Sequence, residues 1–179
     1  TLLRAPRRMV LEVCAVGKGY GVELAAEAAE ARGLNSALLN IGGNLRAIGE
    51  KANGEGVWTV GVENPWGNAP TYIQTLALPD GYSLIVSGDY QRYFEYEGVR
   101  YSHLIDLTTG YPAQYCSSVA ILAPDGSGGT GDALSTALFC LPEETGRRVL
   151  EHQPGFAALW MYPDGTTRQT DSWTGQAAQ

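Results

Sequence analysis

The feature that most constrains the fold is a succession of short segments with alternating apolar and polar residues between positions 45 and 105. Turn sequences that contain glycine separate several of them, at 53–54, 79–81 and 97–98. Short alternating runs joined by such turns are typical of antiparallel β-meanders. We therefore predict strands at 46–49, 57–63, 72–78, 82–86, 93–96 and 100–105, followed by one at 116–123.

Other patterns flank this region. Residues 9–16 (MVLEVCAV) are apolar and end at a glycine, which predicts a buried strand, whereas residues 19–32 combine Ala and Leu with regularly spaced Glu and predict a helix that ends at Gly33. The remaining predictions are a strand at 36–41, helices at 131–139 and 142–152, and a hairpin of 156–161 with 166–169. This order indicates an α+β fold with a mostly antiparallel or mixed sheet and packed helices.

Composition limits the size and the class of the protein. A chain of 179 residues, 44% of them hydrophobic, is long enough for one domain, expected over residues 1–170, with a frayed polar tail at 171–179. The net charge is −7 and the 12 Lys and Arg are scattered, so nucleic-acid binding is not expected. No stretch approaches the roughly 20 apolar residues of a membrane span.

The three cysteines, Cys14, Cys116 and Cys140, are an odd number at wide spacings. This spacing favours neither a disulfide framework nor a zinc site. We interpret the cysteines as small buried apolar residues.

The predicted helix at 131–139 carries the first candidate site. Asp132, Ser135 and Thr136 fall at positions i, i+3 and i+4 and share one face, while Ala133, Leu134, Ala137 and Leu138 are expected to pack on the other. A carboxylate with neutral oxygens suits a hard cation such as Mg²⁺. The alternative is that Asp132 caps the helix and the hydroxyls bind carbonyls of their own helix.

Three further segments are weaker candidates. Residues 16–20 (VGKGY) place glycines and Lys18 before a predicted helix, where backbone N–H groups can face an anion, although an ordinary turn fits equally well. The glycine turn at 42–44 could approach a ligand or satisfy only its own backbone. His103 lies in an alternating strand, where a histidine is more often structural than catalytic.

Five segments combine these residues with polar and aromatic neighbours. They are residues 12–20 (EVCAVGKGY), 40–44 (NIGGN), 87–94 (SGDYQRYF), 98–112 (GVRYSHLIDLTTGYP) and 131–137 (GDALSTA). In order and spacing they resemble the patterns D-L-G-x-I-A-K-G-Y, N-x-G-G-N, S-G-D-Y-x-R-Y-F, G-x-R-Y-x-H-I-x-D-P-x-T-G-x-P and A-D-A-L-S-T-A in the C-terminal half of the ApbE family of FAD:protein FMN transferases. The resemblance spans residues 9 to about 160.

The resemblance implies an ApbE-like, T-fold-like architecture and an enzyme that requires Mg²⁺. Such an enzyme moves FMN from FAD to a Thr or Ser hydroxyl of a target protein and releases AMP. Alternatives are hydrolysis of FAD by the same site, a flavin-binding module without turnover, and a structural fragment.

The resemblance also assigns residues to roles. The family's metal ligands fall on the carboxylate of Asp132, the hydroxyl of Thr136, the position of Ser135 and the backbone oxygen of Ala15. Its contacts to FAD fall on Glu12, Lys18 and the region of Ile105, and the histidine implicated in transfer falls on His103.

Four positions depart from the family pattern without removing a charge that the reaction needs. Glu12 stands where the family has Asp, Cys14 and Gly17 stand for Gly and Ala, and Leu107 replaces the proline after Asp106. Gly17 should loosen its loop, and Leu107 should leave a strand end less rigid.

The resemblance implies partners and a compartment as well. Family members carry an N-terminal half ahead of the first motif, so we expect a missing N-terminal segment or a homodimer to complete the site. The other expected partners are FAD and a target protein with the acceptor Thr or Ser. Family members work outside the cytoplasm, so a periplasmic or membrane-anchored extracytoplasmic location is expected.

Overall fold

The computed structural model describes residues 10, 12–54, 56–67, 70–90 and 92–177. Within these residues six strands form the main sheet, in the spatial order β1-β2-β5-β10-β11-β12, and every neighbouring pair is antiparallel. The main-sheet strands are β1 (Ala37–Ile41), β2 (Asn44–Ile48), β5 (Ser83–Gly88), β10 (Ser118–Ala123), β11 (Ala157–Met161) and β12 (Thr167–Gln169). The helices are α1 (Cys14–Glu30), α2 (Gly128–Phe139) and α3 (Glu143–Leu150).

Three smaller antiparallel sheets accompany the main one. A three-stranded sheet has the order β13-β4-β3, and two-stranded sheets join β6 to β7 and β8 to β9. These strands are β3 (Trp58–Glu63), β4 (Tyr72–Leu78), β6 (Tyr93–Tyr96), β7 (Val99–Ser102), β8 (Ile105–Asp106), β9 (Tyr111–Pro112) and β13 (Gln176–Ala177). The α+β fold with antiparallel sheets is therefore confirmed.

Strand β10 shows how the layers pack, because all six of its residues are buried. Successive side chains of a strand point to opposite faces of the sheet. Val119 and Ile121 belong to a core cluster that includes Leu138 of α2, whereas Ala120 and Leu122 belong to a second cluster with Val62 of β3. The main sheet thus lies between helix α2 and the three-stranded sheet, and β10 is its central strand.

The N-terminal prediction was wrong. Residues 14–16, expected to end a buried strand, form the first turn of α1, and Val10 is 89% exposed; Met9 and Leu11 lie outside the described residues. The apolar run misled because glycine normally interrupts a helix. Gly17 was expected to lie before the helix and Gly19 to begin it, but both lie inside α1, and Gly19 contacts another helix.

The expected frayed tail was also wrong for residues 171–177. Trp173 is 5% exposed and packs in the cluster with β3 and β4, and β13 pairs with β4. One large aromatic side chain is enough to fix this segment, because burying it removes about 150–250 Å² of surface from water. Residues 178 and 179 lie outside the described part.

The cysteines differ from one another. Cys116 is buried as predicted, whereas Cys140 is only half-buried. Cys14 is exposed at the start of α1, which corrects its interpretation as a buried residue. Burial is the main cause that raises the pKa of the Cys116 thiol. None of the helices among the described residues is long and apolar enough to span a bilayer.

Candidate functional site

Asp132 lies in the second turn of α2 and is 2% exposed. It does not cap the helix, since the N-cap position is Ser127; instead its Oδ2 accepts the backbone N–H of Gly19 in α1 at 2.8 Å. Within the described residues the Asp132 carboxylate makes no other hydrogen bond, and no lysine or arginine forms an ion pair with it. A buried carboxylate usually has a cationic partner and several hydrogen bonds, and Asp132 has one neutral donor.

The two hydroxyls of the same helix face meet strand β5. Ser135 is fully buried, and its Oγ lies 2.8 Å from Ser87 Oγ. The Ser135 hydroxyl donates a hydrogen bond to the backbone carbonyl of Asp132 at 2.9 Å. Thr136 Oγ1 lies 3.4 Å from Ser87 Oγ. The expected packing face was partly wrong, because Ala137 is exposed and Asp132 and Ser135 are buried beside Leu134 and Leu138. The polar face points into the fold because β5 offers it a hydroxyl partner.

Helix α1 brings Ala15 to the same place. In a regular α-helix the N–H of residue 19 faces the carbonyl of residue 15, about 3 Å away. That same N–H of Gly19 donates to Asp132 Oδ2. Ala15 thus lies one turn before Gly19, in the helix whose backbone binds Asp132.

Lys18 links α1 to the glycine turn between β1 and β2. Gly42 and Gly43 adopt φ values of 59° and 88°, the left-handed conformation that a two-residue hairpin turn requires. Asn44, 1% exposed, follows the turn, and its Oδ1 accepts a hydrogen bond from Lys18 Nζ at 3.5 Å. The side-chain Nδ2 of Asn44 is buried and has no hydrogen-bond partner in the part of the chain that the structure describes. The segments at 12–20 and 40–44 are thus neighbours in space.

Glu12 lies just before α1, and its side chain accepts a hydrogen bond from a backbone N–H at the start of that helix. Its Oε1 accepts the backbone N–H of Cys14 at 2.8 Å. Hydrogen bonds from Cys14 lower the pKa of the Glu12 carboxyl group, because they favour its charged form. Glu12 is exposed, as expected for a residue that meets a ligand.

His103 lies on the exposed side of the site, after β7. Its Nδ1 is 3.3 Å from the carbonyl oxygen of Arg92. The Arg92 charge acts on Cys14, lowering the pKa of a thiol that the hydrogen bond with Glu12 raises overall. Ile105, 42% exposed, lies in β8, two residues further along the chain.

Asp106 holds the loop that follows His103. Its Oδ1 accepts the N–H of Thr108 at 2.7 Å, and its Oδ2 accepts the hydroxyl of Tyr115 at 3.0 Å. The hydrogen bond from the Thr108 backbone is the main cause that lowers the pKa of the Asp106 carboxyl group. The motif at 98–112 is therefore held as one unit.

A cavity of about 740 Å³ lies between α1 and the start of α2. Its walls include Gly17, Tyr20 and Glu23 of α1 and Gly129 and Ala133 of α2. Tyr20 is 59% exposed. Lys18 and Asp132 are not among the residues that line it.

The ApbE family model matches residues 1–160. The chain belongs to the ApbE family. It is 36% identical over 176 residues to an FAD:protein FMN transferase of Treponema pallidum, and 36% identical over 152 residues to one of Vibrio cholerae. These alignments cover 94% and 84% of this chain.

Solved ApbE structures share the fold. The ApbE protein of Thermotoga maritima superposes with a TM-score of 0.76 at 36% identity over 88% of this chain, and the flavinyl transferase ApbE of Pseudomonas stutzeri with 0.70 at 33% over 89%. The chain covers 50% and 48% of those two proteins, and 48% and 44% of the Treponema and Vibrio relatives. It therefore spans about half the length of the ApbE relatives that it matches.

The donor set fits a magnesium ion. The described residues contain no group of three or more His, Cys, Asp and Glu side chains that could hold a metal. Mg²⁺ does not need one, because it keeps several waters and binds through one or two carboxylates together with substrate phosphates. The residues predicted to hold it are Asp132, Ser135, Thr136 and, through its carbonyl oxygen, Ala15.

Sequence reasoning missed four residues that build this site. Ser87 stood within a quoted motif, but nothing indicated that it would face α2. Gly128 was interpreted as part of a loop, yet it belongs to α2 and contacts α1. Glu23 and Arg46 form a buried ion pair at 3.0 Å, which alternation and spacing do not distinguish from surface charges.

Proposed function

We propose that this chain supplies the magnesium-binding and FMN-transferring part of an FAD:protein FMN transferase. The observation that carries the proposal is Asp132, a buried carboxylate that receives one backbone N–H and no cationic side chain among the described residues. A divalent cation would provide the missing positive charge. The names of the ApbE relatives support the choice of FAD as substrate.

The reaction joins an acceptor hydroxyl to the phosphorus of the FMN half of FAD. The bond from that phosphorus to the AMP oxygen breaks, AMP leaves, and the hydroxyl proton goes to a base. When bound, Mg²⁺ would stabilise negative charge on the phosphoryl oxygens. Lys18, exposed beside the glycine turn, is placed to bind the diphosphate, and Glu12 to contact the flavin dinucleotide.

His103 is the candidate base. A neutral imidazole accepts a proton through the ring nitrogen that carries none. The His103 Nδ1 faces the Arg92 carbonyl, so that nitrogen carries the proton in the tautomer that donates to it. Nε2 is then the free acceptor for the hydroxyl of a target Thr or Ser.

The first test is Asp132→Ala with release of AMP as the measurement. The chain is incubated with FAD, Mg²⁺ and a threonine-containing acceptor peptide, and AMP and the flavinylated peptide are separated by chromatography. We expect both products from the natural chain, their loss on adding EDTA, and a decrease of at least about 10³-fold in Asp132→Ala. Asp171→Ala, which removes an exposed carboxylate, is the matched control.

The alternatives give different results in the same experiment. AMP and FMN without flavinylated peptide would identify an FAD pyrophosphatase. Retained FAD without AMP would identify a flavin-binding module. No binding and no AMP with Mg²⁺ present would overturn the proposed function.

A further inference from the structure

Helices α1 and α2 meet through two reciprocal hydrogen bonds. The N–H of Gly19 in α1 donates to Asp132 in α2 at 2.8 Å, and the N–H of Gly128 in α2 donates to Glu23 Oε2 in α1 at 3.0 Å. In each helix the glycine stands four residues before the carboxylate. Each helix therefore offers one donor and, one turn later, one buried acceptor to its partner. We call these four residues the helix contact.

The two backbones touch at this point. A Cβ on Gly19 would lie 2.1 Å from the carbonyl oxygen of Gly128, and a Cβ on Gly128 would lie 2.9 Å from the carbonyl oxygen of Gly19. Real side chains do not tolerate such distances, so the glycines allow the close approach. A helix crossing fixed in this way sets the position of Asp132 relative to α1.

A buried ion pair holds the Glu23 end of the helix contact. Arg46 of β2 donates through Nε to Glu23 Oε1 at 3.0 Å, and its Nη2 lies 2.8 Å from Asp125 Oδ1 in the segment before α2. Glu23 is 5% exposed and Arg46 2%. Since one oxygen of Glu23 faces Arg46 and the other accepts the Gly128 N–H, the carboxylate ties β2, α1 and α2 together.

We propose that Glu23 is a positioning residue for the magnesium site and that Arg46 orients its carboxylate. The proposal rests on the proposed function and adds a residue that touches neither FAD nor the acceptor. Glu23 acts through Gly128, which begins the helix that carries Asp132. Partners that orient metal ligands from behind contribute about 10–100-fold to metal affinity. Loss of Glu23 should therefore weaken Mg²⁺ binding by about that factor.

The test is a titration of melting temperature with Mg²⁺ alone, on the full chain without FAD. Glu23→Gln keeps one oxygen for Gly128 but turns an N–H₂ donor toward Arg46, so one of the two contacts is lost. We expect its half-saturating Mg²⁺ concentration to rise at least about tenfold. Glu27→Gln, one turn further along α1 and exposed, should titrate like the natural chain.

A second variant separates positioning from the cost of a lone buried charge. Glu23→Leu with Arg46→Met removes both charges and keeps apolar bulk, a replacement that buried ion pairs often tolerate. We expect it to melt cooperatively and still to require at least about tenfold more Mg²⁺, because Gly128 has lost its acceptor.

Three outcomes would overturn the proposal, and they can be told apart. If either variant saturates at the Mg²⁺ concentration of the natural chain, Glu23 does not position the site. If the double variant does not melt cooperatively, the network serves folding alone. If the melting temperature of the natural chain does not respond to Mg²⁺, the metal site itself fails, and with it the proposed function.

Discussion

The helix contact and the β6–β7 hairpin, which His103 follows, are built in opposite ways, although the proposed function uses residues of both. The helix contact is buried, with Asp132 2% exposed, and its carboxylates bind backbone N–H groups. The hairpin is exposed, with Phe94 at 62% and Tyr96 at 61%. The geometry of the helix contact is fixed by backbone groups, whereas the hairpin exposes its side chains to solvent.

This difference separates two requirements of the proposed reaction. A cation that grips a diphosphate requires ligands fixed within a few tenths of an ångström, which buried backbone contacts provide. A base for the hydroxyl of another protein must be reachable from outside, which an exposed position provides. We therefore expect substitutions in the helix contact to alter metal binding and stability, and substitutions near His103 to alter transfer alone.

The largest effect is expected from Gly19→Ala. The added Cβ would collide with the Gly128 carbonyl oxygen and with the Asp132 side chain, so the helices must separate. We expect a loss of about 1–3 kcal/mol in the free energy of unfolding and loss of the Mg²⁺-induced rise in melting temperature. Chemical denaturation and thermal melts with and without Mg²⁺ measure both.

Gly21→Ala is the matched control for this prediction. Gly21 lies in the same helix, and a Cβ there meets nothing within 4 Å. Alanine is a better helix former, so the control should be more stable by up to about 1 kcal/mol. Equal effects of the two substitutions would show that the close contact of α1 with α2 does not hold the site.

A more selective effect, on the rate of FMN transfer and not on stability, is expected from His103→Ala. If His103 accepts the hydroxyl proton, the rate of FMN transfer should fall by about 10²–10⁴-fold, because general-base catalysis contributes that much. The half-saturating Mg²⁺ concentration and the melting temperature should not change, since His103 is exposed. Flavinylation rates at saturating FAD and Mg²⁺ titrations measure the two separately.

His152→Ala is the control for this substitution. His152, the other histidine of the chain, is exposed and lies just after α3, with its Nδ1 3.1 Å from the Arg148 carbonyl. The His152→Ala variant should transfer FMN at the rate of the natural chain. A His103→Ala variant that binds less Mg²⁺, or that transfers at the natural rate, would remove the distinction between the two regions.

The sequence predicted the strands well because alternation is a local signal. The expected strands at 72–78 and 93–96 match Tyr72–Leu78 and Tyr93–Tyr96. Their pairing into one main sheet and three small ones depends on contacts between distant residues, which a single sequence does not express. Helix α1 was misjudged at its start because a glycine that lets two helices touch is locally the same as a glycine that ends a helix.

For the candidate site too, the sequence predicted the contacts within one helix but not those between distant residues. Asp132, Ser135 and Thr136 share a face at helical spacing, and the structure places them together. The link from Asp132 to Gly19, 113 residues away, follows from the fold alone. Glu23 could not be chosen from Glu27 and Glu30 in the same helix. Glu30 also lies 3.6 Å from Arg46, and only the burial of Glu23 and its bond to Gly128 set it apart.

The smallest effect is expected from Asp106→Asn, which tests how firmly the loop after His103 is held. Asparagine keeps an oxygen for the Thr108 N–H but loses the charge that favours the Tyr115 hydroxyl bond. The hydrogen bond from Thr108 lowers the pKa of Asp106 in the folded state, so its stabilisation is present above the unfolded value of about 3.9 and is lost as pH falls through the folded value. The melting temperature of Asp106→Asn should therefore be a little lower than that of the natural chain at pH 7, and the two should converge in acid.

Asp164→Asn removes the charge from an equivalent turn, in which Asp164 Oδ1 accepts the Thr166 N–H at 2.9 Å and the same kind of hydrogen bond lowers the pKa of the carboxyl group. Its melting temperature should follow the same course with pH, while its FMN transfer stays at the natural rate. Asp106→Asn should slow transfer several-fold, because its loop follows His103 directly. A difference in melting temperature that persists unchanged from pH 7 to about pH 3 would show that the Asp106 charge does not hold this loop, and equal transfer rates would place the loop outside the site.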